Sequence, residues 1–171
     1  NLVIIDPVMG DYGKPYPTYT EEMCDEMKKL VEFADILTPN VTEACVLTDT
    51  PYKEKWKIEE IQEMAEKIHK MGPKKIAITG IVQGFIANFC YEEGQQPKVL
   101  RTHKEGTQRS GTGDIFASII AADAVNGVPF YKSVKKASDF IKKCIIRSQE
   151  LNIPLTDGVC FEEVLGKLKT D

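Results

Sequence analysis

The sequence has few of the residues that build metal-binding or disulfide frameworks. It contains five cysteines and two histidines in 171 residues, and no two cysteines have the Cys-x-x-Cys spacing. Scattered cysteines argue against a cysteine-based metal site, and an odd number argues against a disulfide framework. Because reduced cysteines are typical of the cytosol, we predict a cytoplasmic protein.

Two further absences narrow the class of protein. The 22 basic residues are outnumbered by 26 acidic ones, which gives a net charge of −4, and the basic residues form no cluster. A nucleic-acid partner is therefore not expected. No apolar run has the length of a membrane span, so a membrane partner is not expected either. The chain length suits one domain with a substantial core.

Hydrophobic periodicity predicts strands that alternate with helices. Strands are predicted at residues 2–5, 36–37 and 76–79, and helices at 21–33, 40–47, 58–71, 114–125, 131–148 and 161–169. A change of period predicts a hairpin of residues 85–91 and 99–102, with Phe85, Phe89 and Tyr91 packing in the core. This order favours a mostly parallel sheet flanked by helices, with the hairpin at an edge.

A glycine-rich loop, Gly111-Thr112-Gly113-Asp114, precedes the first helix after the hairpin. Its glycines let the backbone approach a ligand, and the first helical turn offers unpaired N–H groups and the positive end of the dipole. Such a loop binds anions, most often phosphate. A carboxylate there needs a separate task, such as taking a proton from an attacking hydroxyl. The loop therefore indicates phosphoryl transfer; a helix cap with a tight turn is the alternative.

Polar residues also end the three predicted parallel strands. Asp6 opens the run Asp6-Pro7-Val8-Met9-Gly10-Asp11, and Thr38 and Thr79 end the next two strands. Ligands bind beyond the carboxyl ends of such strands, so we expect these residues to line one rim with the glycine loop. Asp6 and Asp11 suit Mg²⁺ with its waters; a capping Asp6 and a solvated Asp11 are the alternative.

Asn40 and Glu43 follow Thr38 with the spacing of a helix capping box. The Glu43 carboxylate could also hold a Mg²⁺-bound water, and the two roles can coexist. Thr79-Gly80 suggests a phosphate or cation contact. Elsewhere, His103 is not expected to act as a base, and Arg109 either neutralises phosphate charge or is an ordinary surface arginine.

In this order, the motifs Asp-Pro-Val-Met-Gly-Asp, Thr-Pro-Asn-x-x-Glu and Gly-Thr-Gly-Asp resemble those of the vitamin B6 kinases of the ribokinase-like superfamily. The resemblance covers the whole chain. It implies a three-layer α/β/α fold with a mostly parallel central sheet and an antiparallel edge hairpin. It also implies ATP-dependent phosphorylation of the 5′-hydroxymethyl group of pyridoxal, pyridoxamine or pyridoxine by a homodimer that uses Mg²⁺ and a monovalent cation, K⁺ or Na⁺.

The resemblance also assigns roles to residues. Asp114 would be the catalytic base, beside the substrate, and Tyr19 would contact the substrate. The anion hole and ATP contacts would comprise Gly111, Thr112, Gly113, Asn40 and Thr79. The residues near the metal ions would be Asp6, Asp11, Glu43 and Thr38.

The hydroxymethylpyrimidine kinases of thiamine synthesis share this fold and are the main alternative. At the glycine loop these kinases usually have a sequence similar to Gly-Thr-Gly-Cys, and after Asp-Pro-Val-Met they have a Ser-Gly turn. This chain has Asp114 in place of the cysteine and Gly10-Asp11 in place of Ser-Gly. A nucleotide-binding module without catalysis is a further alternative. Because B6 kinases carry a preceding βαβ region, residues 1–171 are expected to form the C-terminal part of one kinase domain.

Overall fold

The computed structural model describes residues 1–82, 85–102, 106–107 and 109–168. The chain divides into two compact units, residues 1–102 and 103–171. His103, considered above as a base, lies outside the described residues. Within the described part of the chain, no helix combines the length and apolar character needed to cross a membrane.

Among its described residues, the first unit contains seven strands and three helices. In order, these are β1 (Ile4–Ile5), β2 (Gly10–Asp11), β3 (Lys14–Pro15), α1 (Glu21–Val31), β4 (Ile36–Leu37), α2 (Val41–Leu47), α3 (Ile58–His69), β5 (Lys75–Val82), β6 (Ile86–Glu92) and β7 (Lys98–Thr102). The helices begin and end within about two residues of the predicted limits, because their caps and apolar periodicity are local signals.

The main sheet is mixed and has the order β1-β4-β5-β6-β7. Strands β1, β4 and β5 are parallel, with Ile4 paired to Ile36 and Ile36 to Lys75. Strands β6 and β7 add two antiparallel pairings and form the edge hairpin. The predicted α/β class and the edge hairpin are confirmed, while the sheet as observed divides evenly between parallel and antiparallel pairings.

Strand β5 continues past the point where the sequence suggested that it ends. Its register shifts between Ile78 and Ile81, and Gly80 there has a left-handed φ of 75°. Glycine tolerates this conformation, which in a strand marks a bulge rather than an end. The predicted end at Gly80 is therefore wrong, and Thr79 lies at an irregularity inside a longer strand.

The short hairpin of β2 and β3 was not predicted. Its two turn residues, Tyr12 and Gly13, have φ values of 51° and 77°, as a two-residue hairpin turn requires. Glycine is also needed at Gly10, where a Cβ atom would lie 2.3 Å from the carbonyl oxygen of Lys14. The turn after Asp6 is therefore a folded hairpin.

The core of the first unit lies between the main sheet and its helices. Helix α3 contributes Ile61, Met64, Ala65 and Ile68, which recur with helical spacing and are buried. On the hairpin, Phe89 is fully buried, and Phe85 and Tyr91 pack partly buried against the same core. The predicted packing role of these three aromatic residues is confirmed.

The second unit contains α4 (Thr112–Val125), α5 (Phe130–Glu150) and two 3₁₀ helices, Leu155–Asp157 and Glu162–Lys167. Helices α4 and α5 pack against each other and are joined by an ion pair, with Lys136 Nζ 2.8 Å from Asp123 Oδ1. The α-helix predicted at 161–169 is instead the short 3₁₀ helix, which has Gly166 near its end. So short a segment with an interior glycine has little propensity for a regular α-helix.

Candidate active site

Asp6 and Thr38 meet because the strands that carry them are neighbours. Strands β1 and β4 pair in parallel with Ile5 opposite Leu37, so the residues that follow emerge side by side. The Thr38 hydroxyl donates a hydrogen bond to Asp6 Oδ1 at 2.9 Å. Thr38 is buried and Asp6 half-buried. The expected meeting of these two strand ends is confirmed.

Asn40 and Glu43 form the capping box that their spacing indicated. The backbone N–H of Glu43 donates to Asn40 Oδ1 at 2.9 Å, and the N–H of Asn40 donates to Glu43 Oε2 at 2.7 Å. These bonds satisfy two N–H groups at the start of α2. The capping role is therefore confirmed, and the proposed part of Glu43 in holding a metal-bound water stays a prediction.

The same two side chains also fasten the turn that follows Asp6. The Asn40 amide donates to the carbonyl oxygen of Gly10 at 2.8 Å, and the N–H of Met9 donates to Glu43 Oε1 at 3.2 Å. The N–H of Gly13 donates to the Thr42 hydroxyl at 2.9 Å. The β2–β3 hairpin, with Asp11 on it, is thus held against the N-terminus of α2 by hydrogen bonds to Asn40, Thr42 and Glu43.

Glu43 lies in an unusual electrostatic environment. Its side chain is almost fully buried, and each of its two oxygens accepts a backbone N–H. Burial raises the pKa of Glu43 to about 8; the hydrogen bonds from Asn40 and Met9 lower it, and the nearby charge of Asp6 raises it. Glu43 is therefore an acid whose charge depends on pH near neutrality.

Thr79 joins this group through the backbone. It forms a parallel β-bridge with Asn40, and its N–H donates to the carbonyl oxygen of Pro39 at 2.9 Å. Tyr19, expected near the substrate, is half-buried and packs against the core of the first unit. The structure thus brings Asp6, Thr38, Asn40, Glu43 and Thr79 together, and the substrate role of Tyr19 stays a prediction.

The glycine loop lies in the second unit, where it begins α4. Gly111 is the N-cap residue, with left-handed φ and ψ of 86° and −5°, and as a glycine it offers no capping side chain. The Thr112 hydroxyl donates to the carbonyl oxygen of Arg109 at 3.3 Å. Asp114 is exposed in the first turn. Neither Thr112 nor Asp114 is the N-cap residue, since Gly111 supplies both the tight turn and the cap position. The anion site expected at the N–H groups of this turn stays a prediction.

Arg109 is not the ordinary surface arginine that was one of the two roles considered for it, and the other role, neutralising phosphate charge, stays a prediction. Its side chain is 7% exposed, and its guanidinium donates to the carbonyl oxygens of Ile153 at 2.7 Å, Pro154 at 2.9 Å and Gly158 at 3.2 Å. It is thus a buried anchor rather than a surface residue, and these donors face main-chain oxygens. Nothing in the local sequence signals this, since its partners lie 44 to 49 residues away.

Across the described ranges, no three side chains among His, Cys, Asp and Glu are grouped closely enough to hold a metal ion by themselves. Kinase Mg²⁺ sites need fewer protein ligands, because water and substrate phosphates complete the coordination. The assignment of Asp6 and Asp11 to a Mg²⁺ site stays a prediction.

The fold is of the α/β class, and comparison with known proteins identifies the family. The model of the phosphomethylpyrimidine kinase family matches residues 1–157. The chain belongs to this family. The hydroxymethylpyrimidine/phosphomethylpyrimidine kinase of Haemophilus influenzae is 31% identical over 160 residues, which are 88% of this chain and 56% of that protein.

Solved structures are similar over nearly the whole chain. A candidate phosphomethylpyrimidine kinase from Bacteroides thetaiotaomicron is 30% identical with a TM-score of 0.94, covering 99% of this chain and 60% of that one. A second crystal form of that protein, with pyridoxal, has a TM-score of 0.89. The ADP complex of Bacillus subtilis pyridoxal kinase is 25% identical with a TM-score of 0.78, covering 96% of this chain and 61% of that one.

The chain thus spans less than two thirds of the length of each of these relatives. Relatives named for pyrimidine and for B6 substrates both match. The resemblance to ribokinase-like kinases is confirmed at the level of the family.

Proposed function

We propose that the protein is an ATP-dependent kinase that phosphorylates the 5′-hydroxymethyl group of a B6 vitamer: pyridoxal, pyridoxamine or pyridoxine. The observation that carries this proposal is the start of α4. Gly111, as the N-cap residue, supplies no capping side chain, and an exposed carboxylate, Asp114, stands in the first turn. A phosphate-binding backbone and a proton acceptor are the two groups that phosphoryl transfer to an alcohol requires.

In the proposed reaction, Asp114 takes the proton of the substrate hydroxymethyl group. The resulting oxygen attacks the γ-phosphorus of ATP in line, a P–O bond forms to the substrate, and the bond to ADP breaks. The N–H groups of Gly111, Thr112 and Gly113 stabilise charge on the transferred phosphoryl oxygens. Because these donors are fixed before the reaction, they need no reorganisation as charge develops.

The strand-end cluster of the first unit would serve the metal and the nucleotide. Asp6 and Asp11 would hold Mg²⁺ through one or two carboxylate oxygens and water, and Glu43 would orient a metal-bound water. When bound, Mg²⁺ neutralises charge on the ATP phosphates. Asn40 and Thr79 would contact ATP, and Thr38, whose hydroxyl already donates to Asp6, would contact a monovalent cation through its oxygen lone pairs.

The choice of acceptor depends on two positions. Asp114 follows Gly113 at the position where pyrimidine kinases usually have a cysteine. Gly10-Asp11 stands at the position where those kinases have a Ser-Gly turn. A carboxylate beside the reacting hydroxyl suits a simple alcohol and would repel a substrate that already carries a phosphate. In support, a Bacteroides thetaiotaomicron relative has been crystallised with pyridoxal.

A side-by-side kinetic comparison on the natural full-length protein tests this function. We expect kcat/KM for pyridoxamine or pyridoxal to exceed that for hydroxymethylpyrimidine by at least ~10-fold, a difference of about 1.4 kcal/mol in transition-state binding. We expect no reaction with hydroxymethylpyrimidine phosphate. A preference for the pyrimidine, or a diphosphate product, would assign the protein to thiamine synthesis. ATP binding without transfer to any acceptor would indicate a nucleotide-binding module.

We further propose that the full-length protein is a homodimer, as the resemblance implies. Light scattering coupled to size-exclusion chromatography measures its mass directly, and a monomeric mass would contradict the proposal.

A further inference from the structure

The glycine loop is supported by the segment of chain that follows α5. The guanidinium of Arg109, two residues before Gly111, donates to three main-chain oxygens of residues 153–158. The next residue donates a hydrogen bond in the opposite direction, from the N–H of Val159 to the carbonyl oxygen of Ser110 at 3.2 Å. We refer to residues 153–159 as the brace.

Contacts from the brace continue to the start of α4. The Val159 side chain lies 3.9 Å from the position that a Cβ atom would take on Gly111. On the other side, the carbonyl oxygen of Arg109 accepts the hydroxyl of Thr112. Residues 109 to 112 are thus fixed from both ends, by the brace and by the first turn of the helix.

We propose that Arg109 is a positioning residue for the glycine loop: by holding the carbonyl oxygens of Ile153, Pro154 and Gly158, its guanidinium sets the direction of the N–H groups of residues 111–113. This inference rests on the proposed function, because it assigns those N–H groups to the transferred phosphoryl group. In this role Arg109 acts through the loop rather than by contact with the substrate.

The chemistry of the side chain explains why arginine stands here. A guanidinium is planar and always charged, and it presents several N–H donors in fixed directions, so one group can bind three carbonyl oxygens at once. A lysine ammonium is a single point charge and cannot match this arrangement. Charge-assisted bonds in a buried site are also stronger than neutral ones.

The test uses three variants of the natural full-length protein: Arg109→Ala, Arg109→Lys and the control Arg147→Ala. Arg147 is also an arginine of the second unit, but it pairs with exposed Glu150 and Glu163, which belong to neither the loop nor the brace. For each variant, kcat and the KM for ATP are measured per folded molecule. Hydrogen exchange of the backbone N–H groups of residues 109–115 is measured without substrate.

We expect Arg109→Ala to lower kcat by about 10²-fold, the cost typical of a misplaced catalytic group, with little change in the KM for ATP. Hydrogen exchange in residues 109–115 should become faster, while that in the middle of α5 should not change. Arg109→Lys should retain part of the activity. Millimolar guanidinium chloride should restore both kcat and slow exchange to Arg109→Ala, whereas sodium chloride at equal ionic strength should not.

Several results would overturn the proposal. An unchanged kcat per folded molecule with a lower melting temperature would show that Arg109 only stabilises the fold. An increase in the KM for ATP at constant kcat would show a contact with the nucleotide. If the wild-type protein phosphorylates no acceptor, the proposed function fails, and the exchange and its rescue by guanidinium still decide whether Arg109 positions the loop. If Arg109→Ala does not fold, Arg109→Lys provides the comparison.

Discussion

The buried acid Glu43 gives a prediction whose size follows from the structure. Burial raises the pKa of Glu43 from its ordinary 4.5 to about 8. Between these two pH values the folded protein keeps a proton that the unfolded chain has lost, so the free energy of unfolding falls as pH rises. One pKa unit corresponds to about 1.4 kcal/mol, which gives at most about 5 kcal/mol over the whole interval.

Glu43→Gln removes the titration and retains a neutral side chain of similar size. An amide has one acceptor oxygen where the carboxylate has two, so it cannot serve all the backbone N–H groups that Glu43 accepts, those of Asn40, Met9 and Gly10. We therefore expect a loss of about 1–3 kcal/mol that does not depend on pH. Superimposed on it, the variant should gain stability relative to wild type by up to about 1.4 kcal/mol for each pH unit between 5 and 8.

The assay is urea unfolding at a series of pH values from about 5 to 8, with Glu60→Gln as the matched control. Glu60 is the third residue of helix α3, as Glu43 is of helix α2. Its carboxylate accepts a hydrogen bond from the N–H of the N-cap residue Lys57 at 2.9 Å. The ion pair with Lys53, followed by this hydrogen bond, lowers the pKa of Glu60. The stability that Glu60 contributes is complete above its ordinary pKa of 4.5 and is lost only as the pH falls below that value. Over the assayed pH range, the free energy of unfolding of Glu60→Gln should therefore differ from that of wild type by a constant amount. If Glu43→Gln also differs by a constant amount, Glu43 is charged throughout and the reasoning is refuted.

Three further predictions concern the reaction. Asp114→Asn should lower kcat by roughly 10²–10⁴-fold with little change in ATP affinity, since it removes a positioned base; kinetics with calorimetric ATP binding check this, and turnover within a few-fold of wild type would reject the assignment. Gly111→Ala places a side chain at a φ of 86°, which costs about 1–2 kcal/mol; a lower melting temperature with reduced kcat is expected, and an unaltered kcat would separate the loop from catalysis. Glu43→Gln should raise the Mg²⁺ concentration needed for half-maximal activity, and an unmoved Mg²⁺ titration would leave Glu43 with its capping role alone.

Features set by nearby residues could be predicted from the sequence. Asn40 and Glu43 are three residues apart and form the expected capping box. The parallel pairing of β1 with β4 brings Asp6 and Thr38 together, as the rule for strand ends indicates. The limits of helices α1 to α5 and the edge hairpin follow from periodicity in the same way.

Features that depend on distant contacts or on backbone conformation could not be predicted. Glycine at position 80 looked like the end of a strand, because a bulge and a turn both use its left-handed conformation. Tyr12 is an uncommon residue for a left-handed turn position, so the hairpin it begins carried a weak signal. The burial of Arg109 depends on carbonyl groups more than 40 residues further along the chain.

The way in which Arg109 holds the brace also determines how this part of the protein can vary in evolution. Its three partners are main-chain oxygens, which every amino acid provides. Substitutions at Ile153 or Pro154 can therefore preserve these bonds as long as the backbone path is kept. An insertion or deletion within 153–158 would move at least one oxygen out of reach. The spacing of the brace is thus constrained more tightly than its amino-acid identities.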